Sequence, residues 1–128
     1  MSFKSSWNEV FAKIKSYAIS EGISNVSKGK PGYIPSEAPF ALAFAYPLPR
    51  VFGESPTASK KKMEILIFVA DADEDLAEGI DRVVDIAEKI GDAFAKDHPN
   101  TISVAPEFDS IDGNNIIASL TITMYYRR

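Results

Sequence analysis

The densest group of potential metal ligands in this chain is the acidic run in which Asp71, Asp73 and Asp75 occupy alternate positions. Carboxylates with this spacing begin the loop of an EF-hand calcium site. That loop also requires glycine at its sixth position and glutamate at its twelfth, which here are Leu76 and Arg82. We therefore interpret the run as the acidic start of a helix, where the helix dipole favours negative charge.

His98 and the pair Asp109 and Asp112 are further candidates for acid–base chemistry. His98 is the only histidine, so a histidine-based triad or a multi-histidine metal site lacks its other members. Its place near a predicted helix end favours a structural role, because the dipole stabilises positive charge there. The segment from Asp109 to Gly113 is typical of a turn. We therefore expect no enzymatic activity, with no catalytic residues and no cofactor or metal site.

The one concentrated basic feature is the triplet Lys60, Lys61 and Lys62, which we expect to share a loop with Arg50. Two interpretations remain open. Lysines at a hairpin protect a sheet edge from pairing with other chains. Alternatively, they form a basic tip that contacts a partner protein or DNA passing close by. The net charge of −4 argues against a broad nucleic-acid surface, which requires clustered lysine and arginine.

The hydrophobic pattern predicts the element order helix, strand, strand, helix, strand, strand. Ser6 and Glu9 have the spacing of a capping box, so the first helix should begin at Ser6, and Gly22 should end it. Segment 22–39 is rich in glycine and proline and is predicted to be a long loop. The predicted strands are Phe40–Tyr46, Met63–Ala70, Thr101–Phe108 and Ile116–Tyr125. Loop 50–62 joins the first pair, and a tight turn at Asp112-Gly113-Asn114 joins the second.

The strands differ in the polarity of their two faces. The first places large apolar residues on one face and alanines on the other, and the second is apolar on both, so we expect both of its faces to be covered. The fourth alternates apolar residues with Ser119, Thr121 and Thr123. Its polar face is therefore expected to remain wet.

The clearest element is the segment from Asp71 to Asp97, which has the pattern of one amphipathic helix. Asp71 or Asp73 is the expected N-cap, and Pro99 closes the helix. The apolar stripe expected to face the sheet comprises Leu76, Ile80, Val83, Val84, Ala87, Ile90, Gly91 and Phe94.

The composition is that of one globular domain, with 128 residues, of which 45% are hydrophobic and 25% charged. We predict a single α+β domain over residues 1–128, with a mostly antiparallel four-stranded sheet and both helices packed against one face. No apolar run approaches the ~20 residues that a membrane span requires. The N-terminus also lacks the apolar region of a secretory signal, so we expect synthesis in the cytoplasm.

Two segments lead into these elements: Glu37-Ala38-Pro39-Phe40-Ala41-Leu42 precedes the first strand pair, and the apolar run Ile65–Ala70 precedes the long helix. Together with the element order over roughly residues 6–126, they resemble the small tail-terminator, or tail-completion, proteins of long-tailed bacteriophages and prophages. The resemblance lies in the order and spacing of the elements.

The resemblance implies a structural virion protein of the phage neck, made in the bacterial cytoplasm before assembly. It would cap the tail tube as a homo-oligomeric ring, commonly a hexamer, and join it to the head-completion proteins. Arg50, Lys60, Lys61 and Lys62 are the candidate contacts to a partner or to DNA, and we expect no membrane contact. The alternative is a small ligand- or peptide-binding module of ferredoxin-like type without catalysis, in which loop 22–39 closes over a cleft beside the sheet.

Overall fold

The structure, a computed structural model, describes residues 2–29, 38–49 and 60–127. Within these residues the elements in chain order are α1 (Phe3–Ser20), β1 (Val26–Lys28), β2 (Phe40–Pro47), β3 (Lys60–Ala72), α2 (Leu76–Asp97), β4 (Thr101–Asp112) and β5 (Asn115–Arg127). The strands form one sheet in the order β1-β2-β3-β5-β4. The α+β class is confirmed.

The sheet corrects the predicted four-stranded, α-β-β-α-β-β arrangement, because a fifth strand lies inside the segment predicted to be a loop. β1 runs parallel to β2, with Val26 opposite Ala41 and Lys28 opposite Ala43, whereas the other strand pairs are antiparallel. A strand of three residues is too short to show an alternating pattern in the sequence. Within the two predicted loops, residues 30–37 and 50–59 lie outside the described residues. Arg50 is therefore not described.

Both helices bury their apolar faces in one core against the same face of the sheet. The stripe predicted for α2 is largely confirmed, since Val83, Ala87, Ile90 and Phe94 are all fully buried. Opposite them lie alternate residues of the two central strands. Those sheet residues are Met63, Ile65, Ile67 and Val69 on β3 and Ile116, Ala118, Leu120 and Ile122 on β5.

Both predicted helix starts are wrong. Ser2, not Ser6, caps α1 by accepting a hydrogen bond from the backbone N–H of Ser5 at 3.1 Å. The helix begins a turn early because Phe3 packs edge-on against Tyr126, with ring centroids 5.8 Å apart. Consequently Ser6 lies within the helix and is buried.

The second helix starts later than predicted, because β3 continues through Ala72 and takes the predicted N-cap positions into the strand and the turn after it. Asp75 is the N-cap, and its side chain accepts a hydrogen bond from the backbone N–H of Glu78. Leu76 was expected in the core but is 49% exposed, whereas Ile86, omitted from the predicted stripe, is buried.

The second face of the sheet carries its own apolar cluster. Phe40, Leu42, Phe68 and Ala70 are buried there, and the ring of Phe44 stacks on Phe68 with centroids 6.2 Å apart. On this face of the predicted strand Phe68 and Ala70 are buried and Leu66 is half-buried, so the expectation that both faces are covered is met only at the end of the strand. The register places Ser119, Thr121 and Thr123 of β5 opposite Phe68, Leu66 and Glu64 of β3, so the predicted polar strip lies beside the cluster. The expectation that this strip stays wet is wrong for Ser119, which is only 5% exposed.

The β4–β5 hairpin is longer than predicted at both strands, and its turn is as predicted. Gly113 has φ of +61°, a conformation that favours glycine. The β4–β5 register shifts between Thr101 and Ser103 and again between Phe108 and Ser110. Such bulges bend an edge strand and redirect its side chains.

Candidate functional site

The acidic run fixes the connection between β3 and α2. Arg82 pairs with two carboxylates, its Nε lying 3.0 Å from Oδ2 of Asp71 and its Nη1 lying 2.8 Å from Oδ2 of Asp73. A hydrogen bond from the backbone N–H of Asp75, followed by that of Arg82, lowers the pKa of Asp73. In the described parts of the chain, no group of three or more histidine, aspartate or glutamate side chains is arranged to hold a metal ion.

His98 lies at the end of α2 and packs on that helix. Its Nδ1 is 3.0 Å from the carbonyl oxygen of Phe94, and the two rings stack with centroids 4.1 Å apart. Because a carbonyl oxygen can only accept, Nδ1 donates in this contact. The imidazole thus caps the helix. Its hydrogen-bond partner is the Phe94 carbonyl oxygen, not Asp109 or Asp112.

A groove of about 780 Å³ runs along the helix-bearing side of the sheet, between α1 and the end of β5. Val10, Met124 and Tyr126 contribute apolar surface, while Glu9 and Lys13 contribute opposite charges. We call it the helix-face groove. Ser6 also borders it, but its hydroxyl oxygen is sealed from solvent and has no hydrogen-bond partner. The arrangement can hold an apolar group.

The predicted basic contacts lie on a strand rather than in a loop. Lys60, Lys61 and Lys62 are the first residues of β3, and the register places them opposite Arg127, Tyr126 and Tyr125 of β5.

The side chains of Lys61 and Lys62 are half-buried, and Nζ of Lys62 lies 5.9 Å from the centroid of the Tyr125 ring. We call the end of the sheet at Lys60, Lys61, Lys62 and Arg127 the basic end. The aliphatic parts of these two lysine side chains therefore pack along the strand. The side chains have less conformational freedom than they would have at the tip of a loop.

The opposite end of the same strands is acidic. β3 ends at Asp71 and Ala72, and the β4–β5 turn lies beside them, since Asn114 lines one shallow depression together with Asp73 and Glu74. We call this the acidic end. Its carboxylates are Asp71, Asp73, Glu74, Asp75, Asp109 and Asp112, of which Asp71 and Asp73 are paired with Arg82.

Apolar surface accompanies these carboxylates. A pocket of about 250 Å³ opens on the second face of the sheet, with Phe40, Phe68 and Ile117 in its walls and Asp109 and Asp112 at its border. We call it the second-face pocket. Ile111, which also lines it, is 48% exposed, and Phe108 on the other side of the bulge is 42% exposed.

No known protein family and no curated protein sequence matches this chain. No helix among the described residues is long and apolar enough to cross a membrane.

The exposed residues Phe108 and Ile111 were not anticipated from the sequence. A strand with one buried face places apolar residues two apart, but Phe108 and Ile111 are three apart. This break in the alternation is the signal of the register shift between Phe108 and Ser110. An interrupted period close to a turn would therefore have indicated a bulge with redirected side chains.

Proposed function

We propose that this protein is a structural subunit of a homo-oligomeric ring of the phage tail-terminator type. The ring would cap a tail tube and join it to head-completion proteins in the virion. The observation that carries the proposal is the exposed apolar surface on β4, where Ile111 is 48% exposed and lines the second-face pocket, and Phe108, outside that pocket, is 42% exposed. Exposed apolar residues that adjoin a pocket and are bordered by charge are typical of surfaces that contact other proteins.

The polar strip on the second face adds support. Thr121 and Thr123 are half-buried and alternate with core residues of β5, so this part of the sheet can face water at a rim or lumen. A closed ring uses heterologous contacts, in which two different patches of each subunit meet. The fold offers different surfaces at its two ends, which suits such an arrangement.

The first test measures the mass of the protein by light scattering over a range of concentrations, with and without tail-tube protein. We expect a multiple of the 14.0 kDa chain and an arrest of tail-tube growth. A protein that stays monomeric under all these conditions would refute the ring.

A pair of variants ties this result to the exposed apolar surface. Phe108→Ser with Ile111→Ser should weaken self-association about tenfold or more, because apolar groups that lose water on binding are removed. Ile19→Ser is the matched control, since Ile19 is 51% exposed on α1. Equal weakening by the control would show that the effect is not specific to the β4 surface.

The helix-face groove favours the second candidate, a ligand- or peptide-binding module. Its volume of about 780 Å³ falls within the range of roughly 300–1,000 Å³ that small-molecule pockets occupy. A monomer whose melting temperature rises with an apolar peptide, and rises less after Val10→Ser, would support this candidate against the ring.

A further inference from the structure

The two ends of the sheet carry opposite charge at a separation that prevents them from neutralising each other. Lys61 and Asp71 lie on the same strand, ten residues apart. With a rise of about 3.4 Å per residue, these positions are separated by about 34 Å. The Debye length at physiological ionic strength is about 8 Å, so the two ends hardly interact within one subunit.

The strand pairing concentrates each charge. The antiparallel register brings the start of β3 beside the end of β5, so that Lys60 lies opposite Arg127. At the other end the same pairing brings Ala72 opposite Asn115, next to the turn that follows Asp112. Residues remote in sequence therefore share a sign at each end.

The acidic end also offers a place for an apolar or long amphipathic side chain. The second-face pocket is lined by apolar residues such as Phe40 and Phe68 and by the carboxylates Asp109 and Asp112. A lysine or tyrosine side chain suits such a site, because it presents an apolar body with a polar tip. Side chains of this kind are the ones that β3 and β5 present at the basic end.

We propose that the acidic end of one subunit docks against the basic end of a second copy of this chain, with the second-face pocket at the contact. The inference rests on the proposed ring and specifies its interface. Opposite charges orient the two copies head to tail, and apolar contact at the pocket supplies attraction that salt does not screen. Such a heterologous contact closes into a ring when its rotation allows it.

The test uses two variants of the full chain with reversed charges. Asp109→Lys with Asp112→Lys places positive charge at the second-face pocket, and Lys60→Glu with Lys61→Glu places negative charge at the start of β3. Each variant alone should self-associate at least about tenfold more weakly than the wild type, because like charges then meet. An equimolar mixture should regain assembly, because every contact in an alternating complex again joins opposite charges.

Matched controls reverse equal charge elsewhere. Asp81→Lys with Asp92→Lys lies on the exposed face of α2, and Lys15→Glu with Lys89→Glu lies on the exposed faces of α1 and α2. Neither control should change the assembled mass. Raising the ionic strength from about 0.1 M to about 1 M, which shortens the Debye length from about 10 Å to about 3 Å, should weaken the wild-type assembly and leave part of it intact.

The outcomes separate this inference from the ring itself. A monomeric wild type refutes the ring and this interface together. A wild type that assembles, with end-reversed variants that assemble equally well alone, refutes the interface and leaves the ring standing. Circular dichroism is measured for every variant, and if Lys60→Glu with Lys61→Glu unfolds the chain, Lys61→Gln alone replaces it. The replacement should still weaken assembly, and a strength equal to that of the wild type would overturn the proposal.

Discussion

Gly91 marks the place where α2 lies closest to the sheet, and we predict that Gly91→Ala destabilises the protein although alanine favours helices. A Cβ atom at this position would lie 2.6 Å from Cγ1 of Val104 on β4 and 3.1 Å from Cδ1 of Leu120 on β5. Carbon atoms in favourable contact are about 3.5–4.0 Å apart. The helix would have to move outward by close to 1 Å, or Val104 would have to change its rotamer.

The magnitude follows from two opposing effects. Replacing glycine with alanine inside a helix stabilises by about 1 kcal/mol. Overpacking a core costs about 1–3 kcal/mol, and the upper half of that range applies here, since Val104 is β-branched and Leu120 is fully buried. We expect a net loss of about 1 kcal/mol in the free energy of unfolding. For a domain of this size the melting temperature should fall by about 3–5 °C.

The assay is urea unfolding followed by circular dichroism, applied to a double-mutant cycle. Val104→Ala removes the methyl group that the new Cβ would approach most closely. In that background Gly91→Ala should be neutral or stabilising, so the two substitutions should couple by about 1 kcal/mol or more. If Gly91→Ala stabilises the wild type, or if the substitutions are additive, close packing at Val104 does not explain the glycine.

Two further predictions concern polar groups. Ser6→Ala should raise the free energy of unfolding by about 1 kcal/mol, measured by urea unfolding. The change removes a buried hydroxyl without a partner, and alanine favours the helix. A loss of stability would indicate that the hydroxyl makes a hydrogen bond in solution. Asp73→Asn should reduce the pH dependence of stability in acid, measured as melting temperature against pH. Since the folded pKa of Asp73 is lowered, its contribution is complete above the unfolded value of about 3.9 and is lost as pH falls through the folded pKa. An unchanged profile would show that neither the hydrogen bond from the backbone N–H of Asp75 nor the ion pair with Arg82 lowers the pKa of Asp73 in the folded state.

The predictability of each element depended on how many periods of its pattern the sequence contains. α2 spans 22 residues, or about six turns, and five of its seven buried residues belong to the predicted stripe. β1 spans three residues and could not be recognised. Its pairing is fixed by non-local hydrogen bonds, such as that from the N–H of Ala41 to the carbonyl oxygen of Asn25 at 2.9 Å.

Helix starts were predicted less well, because several side chains compete for the same capping role. Ser2 and Ser6 both have the chemistry of an N-cap, and contact between Phe3 and Tyr126 selects the earlier one. The same holds for Asp71, Asp73 and Asp75, where continuation of β3 leaves Asp75 to cap α2. Tertiary contacts therefore decide between positions that local chemistry makes nearly equivalent.

The candidate contact surface lay beyond prediction for a related reason. In the sequence Lys60, Lys61 and Lys62 form an isolated basic triplet, and Asp109 and Asp112 belong to a turn. Only the antiparallel pairing of β3 with β5 shows that the triplet shares an end of the sheet with Arg127, while the turn joins the acidic residues that follow β3. The separation of charge along the strands depends on which residues of β3 and β5 pair. The local sequence around each charged residue does not specify that pairing. The long-range pairing that builds the core thus also creates the two unlike ends that a head-to-tail assembly requires.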